Sequence, residues 1–194
     1  MRPLKAFVNQ ASLRHNLSIV KQLTPKSKIM SVVKANGYGH GLINVAQGLN
    51  ESDGFAVLSL NEAIDLREHG FEQDILLLEG AFEAYEISIA AKMRINLVVH
   101  SLHQLQMIEN SKLNHPIDIH FKINTGMNRL GFNPKDTKDI LESLQNKSYF
   151  KSITLMTHFA TADEPKGIDW QFNIFNDIAT VSYTHLTLPT TSRV

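Results

Sequence analysis

An apolar run that ends in a lysine and opens at once into glycines is the part of this 194-residue sequence best suited to chemistry: Val32-Val33-Lys34-Ala35-Asn36-Gly37-Tyr38-Gly39-His40-Gly41. A lysine at the C-terminal end of a barrel strand lies where active sites form. Partial desolvation at such a position favours the neutral amine, the form that condenses with a carbonyl in Schiff-base chemistry. The glycines admit positive φ and close backbone approach to a ligand, and Tyr38 offers a hydroxyl at the rim. By residue type alone, however, a lysine in this place more often solvates a strand end. The spacing of Gly37, Gly39 and Gly41 is also a poor dinucleotide fingerprint, because the third glycine comes one residue too early.

Other titratable residues are less suggestive. Nine histidines are present, yet no His-Glu-x-x-His or comparable ligand spacing occurs, so no metal site is expected. Glu79 follows the apolar run Ile75–Leu78 and could join a second carboxylate in acid–base hydrolysis, but nothing in the sequence names a partner.

The elements that must position Lys34 are read from apolar spacing. Short runs at Ala6–Val8, Ile29–Val33, Phe55–Leu58, Ile75–Leu78, Ile95–Val99, Ile117–Ile123 and Ile153–Met156 are dense in Val, Ile and Leu. Most show little polar alternation, as in strands buried on both faces of a parallel sheet. Between them Leu13, Leu17 and Val20, then Leu42, Val45 and Leu49, then Leu102, Leu105 and Ile108 form helical stripes. Ser101 suits an N-cap, Pro134 a first helical position after Asn133, and Gly70 a stop after Glu68-His69. Strands alternating with helices, without hairpin signals, indicate an α/β fold. Periodicity leaves open a (β/α)8 barrel and a doubly wound sheet.

Composition narrows the function. The 19 basic and 19 acidic residues cancel and no basic block stands out, so a small-molecule ligand is expected rather than nucleic acid or an anionic membrane. No stretch approaches the roughly 20 apolar residues of a membrane helix, and the N-terminus lacks a secretory h-region. The lack of cysteine excludes disulfides and thiolate chemistry and fits a cytoplasmic location.

Three segments resemble the alanine racemase family in order and spacing. Val33–Gly41 is similar to the family signature around its pyridoxal-phosphate lysine. His120-Phe121-Lys122-Ile123-Asn124-Thr125-Gly126-Met127-Asn128-Arg129-Leu130-Gly131-Phe132 resembles the fifth barrel strand and its loop. Met156-Thr157-His158-Phe159-Ala160-Thr161-Ala162-Asp163 resembles the sixth. The similarity runs from about Lys5 to about Ile178. It implies a TIM-type barrel, here incomplete, with about six of eight βα units and without the family's C-terminal β domain.

The resemblance also implies roles. Lys34 would carry pyridoxal 5'-phosphate and act as the base on one face of the substrate. Tyr38 would pack near the cofactor and reach its phosphate. Arg129 would lie near the phenolic oxygen and the substrate carboxylate, where a fixed guanidinium stabilises negative charge. Lys122 matches a lysine that in many members is carbamylated and holds that arginine, and His158 would join the cofactor-side network. Asn124 stands where many members have Asp. The expected substrate is alanine and the full-length assembly a homodimer, whose second subunit supplies a tyrosine as the other base.

On this reading residues 1–10 form a strand that in relatives joins the C-terminal domain, 11–180 a partial barrel, and 181–194 a foreign tail. That tail lacks helical period, and one back-translation of Val181–Thr190 resembles a transposase sequencing adapter. A chain so shortened lacks one base and is expected to be inactive alone. The alternatives are a non-catalytic pyridoxal-phosphate-binding barrel of the homeostasis type, a broad-spectrum racemase, or a barrel decarboxylase.

Overall fold

A computed structural model describes residues 7–185, with side chains described as far as Thr180. Among the described residues six parallel strands alternate with helices. The described residues fall into two compact units, one of residues 7–78 and 93–95, the other of 79–92 and 96–185.

In the first unit helix α1 (Gln10–Leu23) precedes strand β1 (Met30–Val32), a single helical turn α2 (Lys34–Tyr38) and helix α3 (Leu42–Gly48). Strand β2 (Gly54–Val57), helix α4 (Leu60–Glu68) and strand β3 (Asp74–Leu77) follow. β1 pairs with β2 from Met30 opposite Gly54, and β2 with β3 from Gly54 opposite Asp74. All four residues of β2 are buried, and Phe55 meets Phe71 edge to face at 5.3 Å.

α1 begins because the Asn9 side chain accepts from the Ala11 and Ser12 amides. α4 begins with a capping box, Ser59 and Glu62 each satisfying the other's backbone amide. It stops at Gly70, whose φ of 84° a glycine adopts without strain. Beyond it the Arg67 guanidinium donates to the carbonyls of Phe71, Gln73, Met93 and Arg94 at 2.6–3.0 Å. One side chain thus ties the α4–β3 connection to the segment leading into β4.

The second unit contains helix α5 (Ala84–Lys92), strand β4 (Ile95–Val99, from Asn96 on), helix α6 (Leu102–Asn110) and strand β5 (Ile117–Lys122). Helix α7 (Pro134–Ser143), strand β6 (Phe150–Met156) and helix α8 (Asp169–His185) complete it. β4 pairs with β5 from Leu97 opposite Ile119, and β5 with β6 from Ile117 opposite Phe150, with an irregularity at Ile117/Asp118. Ser101 caps α6, and Asn133 caps α7 with Pro134 in its first turn, both as the sequence anticipates. No helix of the described residues is long and apolar enough to cross a membrane.

Some anticipated features lie at or beyond the edge of the described residues, and others differ from expectation. Residues 1–6, including Ala6 of the anticipated N-terminal strand, lie outside the described residues, and Phe7 and Val8 belong to no strand. α8 continues to His185, five residues beyond Thr180, although Val181–His185 carry no helical period. Extending an existing helix fixes one residue at a time and needs no new nucleus; residues 186–194 lie outside the described residues. Of the stripe Leu13, Leu17 and Val20 only Leu17 is buried, and Leu102 is exposed while Leu105 and Ile108 are buried.

Candidate active site

The sequence-selected residues all lie just past the C-terminal ends of strands or on the last strand residue, where parallel β/α folds gather their ligands. Lys34 and Tyr38 follow β1 in the first unit. Lys122 ends β5, Arg129 lies on the next loop and His158 follows β6, all in the second unit.

Val33, fully buried, still donates to the Ala56 carbonyl (2.9 Å) and so extends the β1–β2 ladder to the residue before Lys34. The backbone then reverses hand. Ala35, Asn36, Gly37 and Tyr38 have φ of 52°, 54°, 61° and 54°, a left-handed turn in which only one residue is glycine. Such a backbone costs roughly 1–2 kcal/mol per non-glycine residue, so the turn persists only where its surroundings over-determine it. Asn36 is the hub. Its amide donates to Glu62 Oε1 (2.8 Å), its Oδ1 accepts from the Leu42 amide (2.8 Å), and its carbonyl accepts from Gly39 and Gly41. Gly37 is the one place where side-chain space is also absent, since a Cβ there would lie 2.9 Å from Val45 Cγ2.

Lys34 is half-buried, and its Nζ lies 6.0 Å from the Tyr38 ring centroid, at the outer limit of a cation–π contact. Among the described residues Nζ takes part in no ion pair or hydrogen bond, so it is not committed to a structural partner. Tyr38 is exposed, and a Cβ built on Gly39 would meet nothing within 4 Å. An uncommitted amine, an exposed phenol and open space over a glycine-rich backbone are a donor set that fits an aldehyde cofactor carrying a phosphate.

In the second unit Lys122, Arg129 and His158 line one shallow recess together with Asn124, Thr125 and Met127. Lys122 is buried, whereas Arg129 and His158 are exposed. The Arg129 loop is pinned at both ends. Phe132 donates to the Lys122 carbonyl (2.8 Å), Asn124 donates to the Phe132 carbonyl (2.9 Å), and Phe121 stacks on Phe132 at 4.3 Å. Gly131 allows this closure, because a Cβ there would lie 2.6 Å from the Asn124 nitrogen. Asn124 Oδ1 accepts from the Gly126 and Asn128 amides, which a carboxylate would do equally well. Its Nδ2 adds a bond to Asn128 Oδ1 (2.9 Å).

Three residues that sequence reasoning did not select organise these loops. Glu62 was legible only as the fourth residue of Ser59-Leu60-Asn61-Glu62, a capping pattern whose reach to Asn36 has no sequence signal. Gln171, fully buried, donates to Thr125 Oγ1 and to the His158 carbonyl (3.1 Å each) and accepts from the Ala160 amide (2.6 Å). Thr157 bonds Thr125 Oγ1 (2.8 Å), joining the ends of β5 and β6. Nearby, burial holds the His100 imidazole below its ordinary pKa, and the positive charge of Lys122 acts in the same direction. The bond between His100 Nε2 and the Glu79 carbonyl (3.1 Å) opposes them.

Parallel strands alternating with helices, each strand end opening into a loop, are the architecture of a β/α-barrel domain. Comparison with known proteins is more specific. Residues 8–192 match the family described as alanine racemase, N-terminal domain, and the chain belongs to that family. The alanine racemase of Nitrosomonas europaea is 50% identical over 177 residues, covering 90% of this chain and 49% of that protein. The catabolic alanine racemase of Salmonella typhimurium is 44% identical over 167 residues, 86% of this chain and 47% of that protein. The crystal structure of the biosynthetic alanine racemase from Pseudomonas aeruginosa superimposes with a TM-score of 0.88 at 36% identity, covering 92% of this chain and 51% of that one. The alanine racemase from Acinetobacter baumannii gives 0.83 at 35% identity, covering 93% and 51%. The chain therefore spans about half the length of the relatives it matches.

Proposed function

We propose that the full-length protein interconverts L-alanine and D-alanine with pyridoxal 5'-phosphate, and that residues 11–180 supply the barrel face that carries the cofactor. The observation that carries this reading is Lys34: a half-buried amine with no ionic partner among the described residues, presented on a strained left-handed turn at a strand end. It stands in a chain half-identical to a curated alanine racemase.

Pyridoxal phosphate, when bound, acts as an electron sink that makes the α-proton of an amino acid removable. Lys34 Nζ would hold the cofactor and take or return that proton on one face. Tyr38 would pack beside the cofactor and reach its phosphate. Arg129 would offer a planar guanidinium to the substrate carboxylate and the cofactor's phenolic oxygen. Lys122 would hold Arg129 once carbamylated, and His158 would hydrogen-bond within the cofactor-side network. Racemisation needs a second base on the opposite face, with both pKa values near working pH. That base is a tyrosine of the C-terminal domain of a second subunit, so the working assembly is a homodimer. The reaction takes place in the cytoplasm and supplies D-alanine to peptidoglycan precursors.

The test is to express the full-length protein, add L-alanine and follow D-alanine, with Lys34→Ala alongside. Lys34→Ala is expected to abolish racemisation and the absorbance of lysine-bound cofactor. Retention of that absorbance, with the cofactor on another lysine, overturns the reading. The 194-residue chain alone, holding one base of the two, is expected to give no D-alanine.

A further inference from the structure

The carboxylate of Glu62 accepts three backbone amides from two different connections. Oε1 takes the Asn36 amide at 2.8 Å, and Oε2 takes those of Leu58 and Ser59 at 3.2 and 3.3 Å. Asn36 lies two residues beyond Lys34, inside the left-handed turn. The first amides of any helical turn have no partner within the turn and need an external acceptor. Gly37, the next residue, already finds the Val33 carbonyl (2.9 Å). Glu62 thus supplies the acceptor that the turn lacks, and anchors it to the end of β2. Because three non-glycine residues there occupy a left-handed backbone, the turn depends on such outside bonds.

We infer that Glu62 is a positioning residue for Lys34: by bridging the Asn36 amide to the Leu58–Ser59 amides it holds the turn that aims the Lys34 amine at its cofactor. The inference rests on the proposed attachment of pyridoxal phosphate at Lys34. A capping role alone would make Glu62 a matter of α4 stability. The positioning role makes it a matter of how well one amine captures an aldehyde. Glu62→Gln keeps one acceptor oxygen and turns an NH2 group towards amide donors, so one side of the bridge is lost. Ser59→Ala removes the other half of the capping box, the bond from the Glu62 amide to Ser59 Oγ (3.2 Å), and leaves all three amide bonds to the carboxylate.

The experiment uses the full-length protein stripped of cofactor and titrated with pyridoxal phosphate. Capture is read from the absorbance of lysine-bound cofactor across pH, and borohydride trapping with peptide mapping locates the modified lysine. Glu62→Gln is expected to weaken capture at Lys34 by about 10-fold or more and to move the pH profile of the band, in line with the loss of a charge-assisted hydrogen bond. Ser59→Ala is expected to lower the melting temperature at least as much, with capture within about 2-fold of the parent. Glu62→Asp, which keeps the charge but is too short to span both sides, should behave like Glu62→Gln. Parent-like capture and pH profile in Glu62→Gln, or capture falling equally in Ser59→Ala, overturns the inference, as does failure of both Glu62 variants to fold. Trapping of the parent at a lysine other than Lys34 would instead sink the functional reading, and this inference with it.

Discussion

Replacing Gln171 with leucine removes a polar hub of nearly the same size, and its effect can be worked out bond by bond. Thr125 Oγ1 keeps its bond to Thr157 and loses little. The Ala160 amide and the His158 carbonyl each lose the Gln171 bond described above. An unsatisfied buried backbone group costs about 1–3 kcal/mol, and both groups are only partly buried. The lower half of that range applies, so the pair amounts to about 2–4 kcal/mol. At about 1.4 kcal/mol per factor of ten, opening of the segment after β6 should become about 30- to 700-fold more frequent. Native-state hydrogen exchange at the Ala160 amide reads this directly. Gln171→Glu separates the two bonds, because it keeps the acceptor for Ala160 and removes the donor for His158. Ala160 should then stay protected. An Ala160 amide that exchanges at the parent rate in Gln171→Leu would refute the reasoning. Equal acceleration at Phe55 and Ala56 in β2 would refute it too, by making the effect global.

Three further outcomes follow from the same geometry. Gly131→Ala places a Cβ against the Asn124 backbone at a φ of +127°, and the backbone strain alone should cost about 1–3 kcal/mol; a urea midpoint unchanged from the parent would show that the loop relaxes freely. Arg67→Met leaves four carbonyls without their donor and should cost about 2–4 kcal/mol in denaturant unfolding. Arg67→Lys should recover only part of that, since an ammonium lacks the planar fork; full recovery would argue for charge alone. His100 is held below its ordinary pKa of 6.5, so the unfolded chain binds its proton first as pH falls. Stability from this group is complete above about pH 6.5 and is lost as pH drops from there through the lowered folded value. His100→Gln should flatten that part of the stability–pH curve, and an unchanged slope would assign it elsewhere.

The strands were legible because burial on both faces leaves a plain apolar run. Ile75–Leu78 coincides with β3 to within a residue, and Ile95–Val99 coincides with β4. β6 starts three residues before the apolar run Ile153–Met156, because Phe150–Ser152 alternate and expose Lys151, which reaches Asp118 instead. The site was legible as residue types at strand ends. Its support was not: Gln171 sits between Trp170 and Phe172 and gives no outward sign of being wholly enclosed. The glycines of 37–41 announced unusual backbone, yet nothing in the types of Ala35 and Tyr38 announced that they would share it.

The reversed hand of the chain after Lys34 also governs which substitutions can accumulate there. A β-branched side chain at 35, 36 or 38 would collide with its own carbonyl whatever the pocket contains, so a saturation library should find valine, isoleucine and threonine rejected at all three. Ala35 touches no reacting atom in the chemistry proposed, and still its place in the chain should behave as though it did. An invariant column in this stretch therefore records mirror-image geometry as readily as it records contact with a ligand.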